Sequence, residues 1–140
     1  MSHMLFQPLA GRVDEIMDFI MHTEEVSAYP DIGYAVRLAC EEVIANIISY
    51  AYPEDADGYI EIDIAGEGNG LRIEICDGGR PFNPVKRQIP DVTQRLDDRE
   101  IGGLGIYLIL QTMDKVTYLY EEGRNKLVLT KHTSGGKSHD

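Results

Sequence analysis

Two alternating segments joined by glycines constrain this chain more than any other feature. "YIEIDIAG" puts Ile60, Ile62 and Ile64 on one face, and "LRIEICDGG" returns through Leu71, Ile73 and Ile75. Side chains alternate along a strand, so each segment has one apolar and one polar face. "GEGNG" between them has the turn chemistry of an antiparallel hairpin. A hairpin with one apolar face needs a second layer to cover it.

The remaining segments supply that layer and extend the sheet. From Gly11 to about Val26, Val13, Ile16, Met17 and Ile20 recur at helical spacing. A second helix is predicted between Pro30 and Pro53, prolines being suited to each end of a helix. A short strand is expected near Met4 to Pro8, and two more over "KVTYLYE" and "KLVLTK", joined at Glu122 to Asn125. "GGLGIYLILQTM" becomes helical from its glycines, whereas Val85 to Glu100 is polar without a clear period, as in a loop. This order predicts an α+β fold in two layers, with helices on one face of an antiparallel sheet. The other face is left to solvent or a partner. One domain is expected over residues 1–132, followed by a flexible tail over 133–140; "MSHM" also reads as a loose end.

The 140 residues suffice for one ordinary core. The net charge of -11 disfavours general binding to phosphate backbones, although a nucleotide held by a metal ion and backbone amides is still allowed. Cys40 and Cys76 lie in apolar segments without CxxC spacing, so they read as buried thiols of a reducing cytosol. His3, His22, His132 and His139 are scattered and suggest no metal cluster. No apolar run approaches the ~18 residues of a membrane span.

Three stations could carry chemistry. Glu42 and Asn46 are one helical turn apart on the second helix, so they share a face. Alone, the pair fits a solvated stripe. It also offers a carboxylate that could accept a proton and an amide oxygen suited to Mg²⁺. Glu41, on a different face, reads as solvated. In "DGGRPFNP", Asp77 ends a strand and Gly79 follows two residues later. An Asp-Gly turn explains this equally well, but the carboxylate could also accept a hydrogen bond from an exocyclic amine. In "GGLGIYLI", Gly102, Gly103 and Gly105 lead into a helix, where free backbone amides attract phosphate. "GGKS" at 135–138 lacks the upstream glycine of a phosphate loop and is set aside.

The order E-x-x-x-N, D-x-G and G-x-G, each on its own element, resembles the N, G1 and G2 boxes of the GHKL ATPases. The resemblance covers about Leu5 to Lys131. "DGGRPFNP" followed by "REIGGLGIYLI" is most similar to the single-domain branch of anti-sigma-factor serine/threonine kinases. The resemblance implies a two-layer α/β sandwich of the GHKL (Bergerat) type that binds ATP and Mg²⁺. It implies Asn46 as the Mg²⁺ ligand, Glu42 as general base, Asp77 as the acceptor for the adenine amine, and Gly79 as a shaper of that pocket. Gly103 and Gly105 would face the phosphates, with Val85 to Glu100 as lid. Two departures stand out. "GRNKLVLT" replaces the G-T pair common before the last strand, leaving the polar role to Asn125 or Thr130, and Tyr50 stands where relatives often have histidine.

The function implied is that of a cytoplasmic anti-sigma factor that phosphorylates a STAS-type antagonist and alternately holds a sigma factor, working as a homodimer. The alternative is a nucleotide-binding module that sequesters a partner without significant kinase activity. Neither needs direct contact with nucleic acid or a membrane. A sensor histidine kinase is disfavoured because His22 lies on a single short helix, not on a long helical hairpin.

Overall fold

Five strands form one antiparallel sheet in the order β1-β2-β3-β5-β4: β1 Ser2–Phe6, β2 Ile60–Glu67, β3 Gly70–Asp77, β4 Lys115–Glu121 and β5 Arg124–His132. The computed structural model describes residues 1–7, 9, 11–53, 57–82, 109 and 111–133. The predicted hairpin pairs β2 with β3, with Ile62 opposite Ile75 and Ile64 opposite Ile73. β5 continues both rows through Leu127 and Leu129. These six side chains are buried, and they share one hydrophobic cluster with the helices.

The covering layer is α1 Val13–Met21, α2 Glu24–Ser27 and α3 Gly33–Asn46. Ile16, Met17 and Ile20 of α1, and Val36, Ala39, Cys40, Val43 and Ile44 of α3, face the sheet and are buried. The α+β, two-layer expectation therefore holds, and every strand pair is antiparallel.

Several boundaries differ from expectation for identifiable reasons. The helix expected over 11–26 is two helices, because Thr23 interrupts it. Its hydroxyl donates to the Ile20 carbonyl at 2.9 Å and accepts from Val26 N at 3.3 Å, capping α2. The helix expected over 30–53 begins as a 3-10 turn, Pro30–Ile32, and ends as a π turn, Ile47–Ala51. The first strand begins earlier than Met4, since Ser2 pairs with Ile64 and Phe6 with Ile60. "MSHM" is thus not a loose end, and Ser2 also donates to Glu25 at 2.7 Å. The last hairpin turns at Glu122 and Gly123, with Glu122 at φ 56°, so Arg124 and Asn125 belong to β5.

The outer face of the sheet is charged and partly exposed. Arg124 pairs with Glu61, and Lys126 with Glu74 at 3.0 Å. The histidines are not all isolated, as His3 Nδ1 lies 2.7 Å from Asp63 and its Nε2 3.5 Å from Glu61. Cys40 and Cys76 are free and buried, and burial pushes the Cys40 thiol up to about 12. Of the helix predicted from the glycines, residues 109, 111 and 112 are helical. Val85 to Glu100, Gly102, Gly103, Gly105 and the tail from residue 134 lie outside the described residues. Among the described residues, no helix is long and apolar enough to cross a membrane.

Candidate functional site

The sheet and α3 part at one end, where β3 stops at Asp77 and α3 widens into its π turn. A cavity of about 230 Å³ opens there. Val43, Ile75 and Leu127 give it an apolar floor, and Asn46, Asp77 and Asn125 bring polar groups to it. Tyr50, Phe82 and Tyr118 add aromatic walls. An apolar pocket with a few converging polar groups is the usual form of a small-molecule site.

Asp77 is 4% exposed. Its Oδ1 accepts from Gly79 N at 2.8 Å and from Asn125 Nδ2 at 3.0 Å. Oδ2 makes no hydrogen bond among the described residues, so this oxygen is left to accept from a donor in the cavity. Burial raises the Asp77 carboxyl above its ordinary value, while the Asn125 and Gly79 hydrogen bonds partly offset the rise.

Asn125 holds this corner together from the opposite strand. β3 and β5 set Asn125 directly across from Asp77. Its Nδ2 also donates to the Arg80 carbonyl at 2.9 Å, and its Oδ1 accepts from Phe82 N at 3.1 Å and from the Tyr118 hydroxyl. Of the two residues left open by the sequence, Asn125 is the one at the site. Thr130 is buried elsewhere on β5, opposite Arg72 and Lys115.

Gly79 is required by close approach. A Cβ there would lie 2.4 Å from the Ala51 carbonyl oxygen, far inside contact distance. The turn after β3 therefore seats against the π turn. Arg80 reinforces the seam, donating from its backbone N to Ala51 O at 2.9 Å and from its guanidinium to Tyr50 O at 3.0 and 2.7 Å. These carbonyls belong to the last turn of a helix, where backbone acceptors are satisfied by groups from outside it. A π turn beside a ligand pocket is a recurrent arrangement.

Asn46 lines the same cavity. Its Nδ2 donates to the Glu42 carbonyl at 2.9 Å, which leaves Oδ1 without a hydrogen bond among the described residues. Glu42 is half-buried one turn earlier, beside the cavity and not among its lining residues. Its carboxylate has no hydrogen bond or ion pair among the described residues. Glu41 is exposed and 4.0 Å from Arg37, consistent with a solvated position.

The donor set fits a nucleotide with a hard cation: one anionic acceptor for an amine, aromatic and apolar walls for a flat ring, and a free amide oxygen. Gly103 and Gly105, the glycines expected at the phosphates, lie outside the described residues. Arg80, Tyr118 and Tyr52 also serve this corner, and no motif marks Tyr118 or Tyr52 in the sequence. Arg80 is the nearest to legible, standing inside "DGGRPFNP".

Residues 6–131 match the family described as the histidine kinase-like ATPase domain. Serine/threonine-protein kinase BtrW of Bordetella bronchiseptica is 27% identical over 103 residues, covering 74% of this chain and 72% of that protein. Serine-protein kinase RsbW of Bacillus thuringiensis is 35% identical over 109 residues, covering 75% and 66%. RsbW of Listeria monocytogenes is 31% identical over 101 residues, covering 69% and 64%. The matched stretch thus spans about two thirds of the length of these curated relatives.

Among solved structures, one holding the RsbU and RsbW domains of a Mycobacterium tuberculosis protein superposes with a TM-score of 0.59 at 12% identity, covering 94% of this chain and 32% of that one. The histidine kinase domain of a blue-light-activated kinase from Erythrobacter litoralis gives 0.53 at 17% identity, covering 91% and 62%. At these identities the likeness concerns the fold.

Proposed function

The chain belongs to the histidine kinase-like ATPase domain family, and on that premise we propose that it is an ATP-dependent serine/threonine protein kinase acting as an anti-sigma factor. The observation that carries this is the shared cavity of Asp77 and Asn46. One presents the second oxygen of a buried carboxylate whose first oxygen is anchored to the loop, and the other an amide oxygen, at the spacing of two boxes of that family. The names of the three curated relatives above, serine or serine/threonine kinases, favour protein phosphorylation over bare nucleotide binding.

In this reading Asp77 Oδ2 accepts from the adenine amine, while Asn125 and Gly79 N hold the carboxylate in place. Tyr118 and Phe82 flank the base. Asn46 Oδ1 would ligate Mg²⁺. ATP supplies the transferable phosphoryl group. Glu42 receives the proton of the attacking seryl or threonyl hydroxyl, a role that typically adds ~10²–10⁴ in rate. Phosphoryl transfer is mainly positioning and charge neutralisation, so few side chains are needed. Gly103, Gly105 and the 85–100 segment are assigned to the phosphates and lid on the resemblance alone.

The same proposal makes a STAS-type antagonist the phosphoacceptor and a sigma factor the alternate partner. It has the chain act as a homodimer in the cytoplasm, as one domain over 1–132 with a short tail. A second reading, a nucleotide-dependent sequestering module without significant kinase activity, is favoured by the position of Glu42 outside the cavity lining. Titrating ATP calorimetrically with and without Mg²⁺, then following phosphate transfer to a STAS-type protein, decides between them. Binding with transfer supports the kinase, and binding without transfer to any seryl acceptor supports the module. No binding to folded protein removes both.

A further inference from the structure

Tyr52 lies just beyond the π turn, ahead of β2, and its hydroxyl is saturated by backbone groups of two other segments. It donates to Tyr59 O at 2.8 Å and accepts from Tyr59 N at 3.1 Å and Gly78 N at 2.7 Å. A hydroxyl has one donor and two acceptor sites, and all three are used. The ring is held as firmly. A Cβ on Gly58 would lie 2.3 Å from it, so only glycine admits the ring at this position. The ring of Tyr59 packs over Gly78 in turn, 2.7 Å from where a Cβ would stand.

Gly78 is the residue between Asp77 and Gly79. The turn that carries the cavity's carboxylate is therefore held from two sides: by Asn125 through Asp77 Oδ1, and by Tyr52 through Gly78 N. We propose that Tyr52 is a positioning residue for base recognition, whose hydroxyl holds the 77–79 turn where the Asp77 carboxylate meets an exocyclic amine. This rests on the nucleotide reading above. Tyr52 does not line the cavity, so it acts through the turn and not by touching the base.

Selectivity for the amine separates this role from a general contribution to folding. The variant is Tyr52→Phe, which keeps the ring and its packing on Gly58. The probes are ATP, purine riboside triphosphate (which lacks the 6-amino group) and inorganic tripolyphosphate, each titrated with Mg²⁺ and accompanied by thermal melts. The wild type should prefer ATP over the deamino analogue. Loss of one backbone tether should weaken ATP about tenfold and shrink that preference by a similar factor, with tripolyphosphate unchanged. Tyr59→Phe, which leaves the backbone groups at 59 in place, should bind like wild type.

Unchanged ATP affinity and unchanged preference in Tyr52→Phe would overturn the positioning role. So would equal weakening of all three probes, or loss of cooperative melting, either of which makes Tyr52 a structural residue only. A wild type that binds ATP and the deamino analogue equally would instead overturn the role given to Asp77, and with it the basis of this proposal.

Discussion

Asn125 and Asp77 face each other across β5 and β3, and Asn125 Nδ2 donates to Asp77 Oδ1 at 3.0 Å while the other carboxylate oxygen is left toward the cavity. One oxygen serves the fold and the other is available to a ligand. This division makes the two roles of Asp77 separable by mutation.

Asp77→Asn keeps an oxygen where Gly79 N and Asn125 donate, and turns the ligand-facing atom from acceptor to donor. ATP affinity should fall on the order of a hundredfold, the charged hydrogen bond being lost and two donors opposed. Stability should not fall with it. Calorimetric titration and a thermal melt on the same sample check the pair, and a large drop in melting temperature would show that the carboxylate charge is needed by the fold.

The pH dependence follows from the raised carboxyl. Burial holds Asp77 above its ordinary 3.8, so the ionised form costs folding free energy relative to the unfolded chain. The stability linked to this group is full below the unfolded value and is lost as pH rises through the higher folded one. Asp77→Asn should therefore gain on wild type as pH climbs through that window, in urea melts at a series of pH values. ATP affinity should run the opposite way, falling as pH drops through the same raised value, because the amine needs the carboxylate.

Asn125→Ala strips partners from Asp77 Oδ1, Phe82 N and the Tyr118 hydroxyl at once. Asp77 Oδ1 keeps Gly79 N and Phe82 N keeps the Tyr118 hydroxyl, so the cost is that of several lost hydrogen bonds at about 1 kcal/mol each, and a net loss of roughly 2–3 kcal/mol is expected by urea unfolding. The same change removes a hydrogen bond that favours the ionised carboxylate, so the pH midpoint of ATP binding should move further up. A midpoint that stays put would mean Asn125 supports the fold without tuning Asp77.

Gly79→Ala forces a methyl to within 2.4 Å of the Ala51 carbonyl oxygen, an atom that cannot rotate away. Overpacking of this kind costs typically ~1–3 kcal/mol. The turn should shift off the π turn, so both melting temperature and ATP affinity should fall. If only stability falls, the turn's position is less critical to binding than its contacts suggest.

Glu42→Ala should retain ATP binding and lose ~10²–10⁴ of the transfer rate. Asn46→Ala should lose the Mg²⁺-dependent part of binding and the transfer with it. Single-turnover assays with a STAS-type seryl acceptor distinguish these patterns, and wild-type rates in Glu42→Ala would remove Glu42 as the base.

The fold was largely legible because period-two alternation and helical spacing are local properties. Ile60, Ile62 and Ile64 could have had only one kind of neighbour. The approach of Asp77 to Asn46 was suggested by box order, and the structure sets both on one cavity. The pairing of Asp77 with Asn125 was not legible, since it depends on β5 lying beside β3, 48 positions away. Tyr52 was hidden for the same reason, its partners being backbone groups that carry no residue signature. Thr23 was missed because a hydroxyl that breaks a helix leaves the apolar period almost intact on either side. The π turn likewise alters hydrogen bonding without altering the pattern of apolar residues.

The pairing of β1 with β2 also has a consequence for biosynthesis. The partner of Ser2 is Ile64, so at ~5–20 residues per second the first strand waits roughly 3 to 12 seconds on the ribosome for its neighbour. During that wait its one buried apolar side chain, Phe6, has a nearer companion. The Phe19 ring meets it edge-on at 5.9 Å, and the Arg12 guanidinium lies 5.5 Å from its centroid. Both come from the helical segment made immediately afterwards, so a nascent chain stalled before β2 can still sequester Phe6 and offer chaperones and aggregating neighbours less to seize.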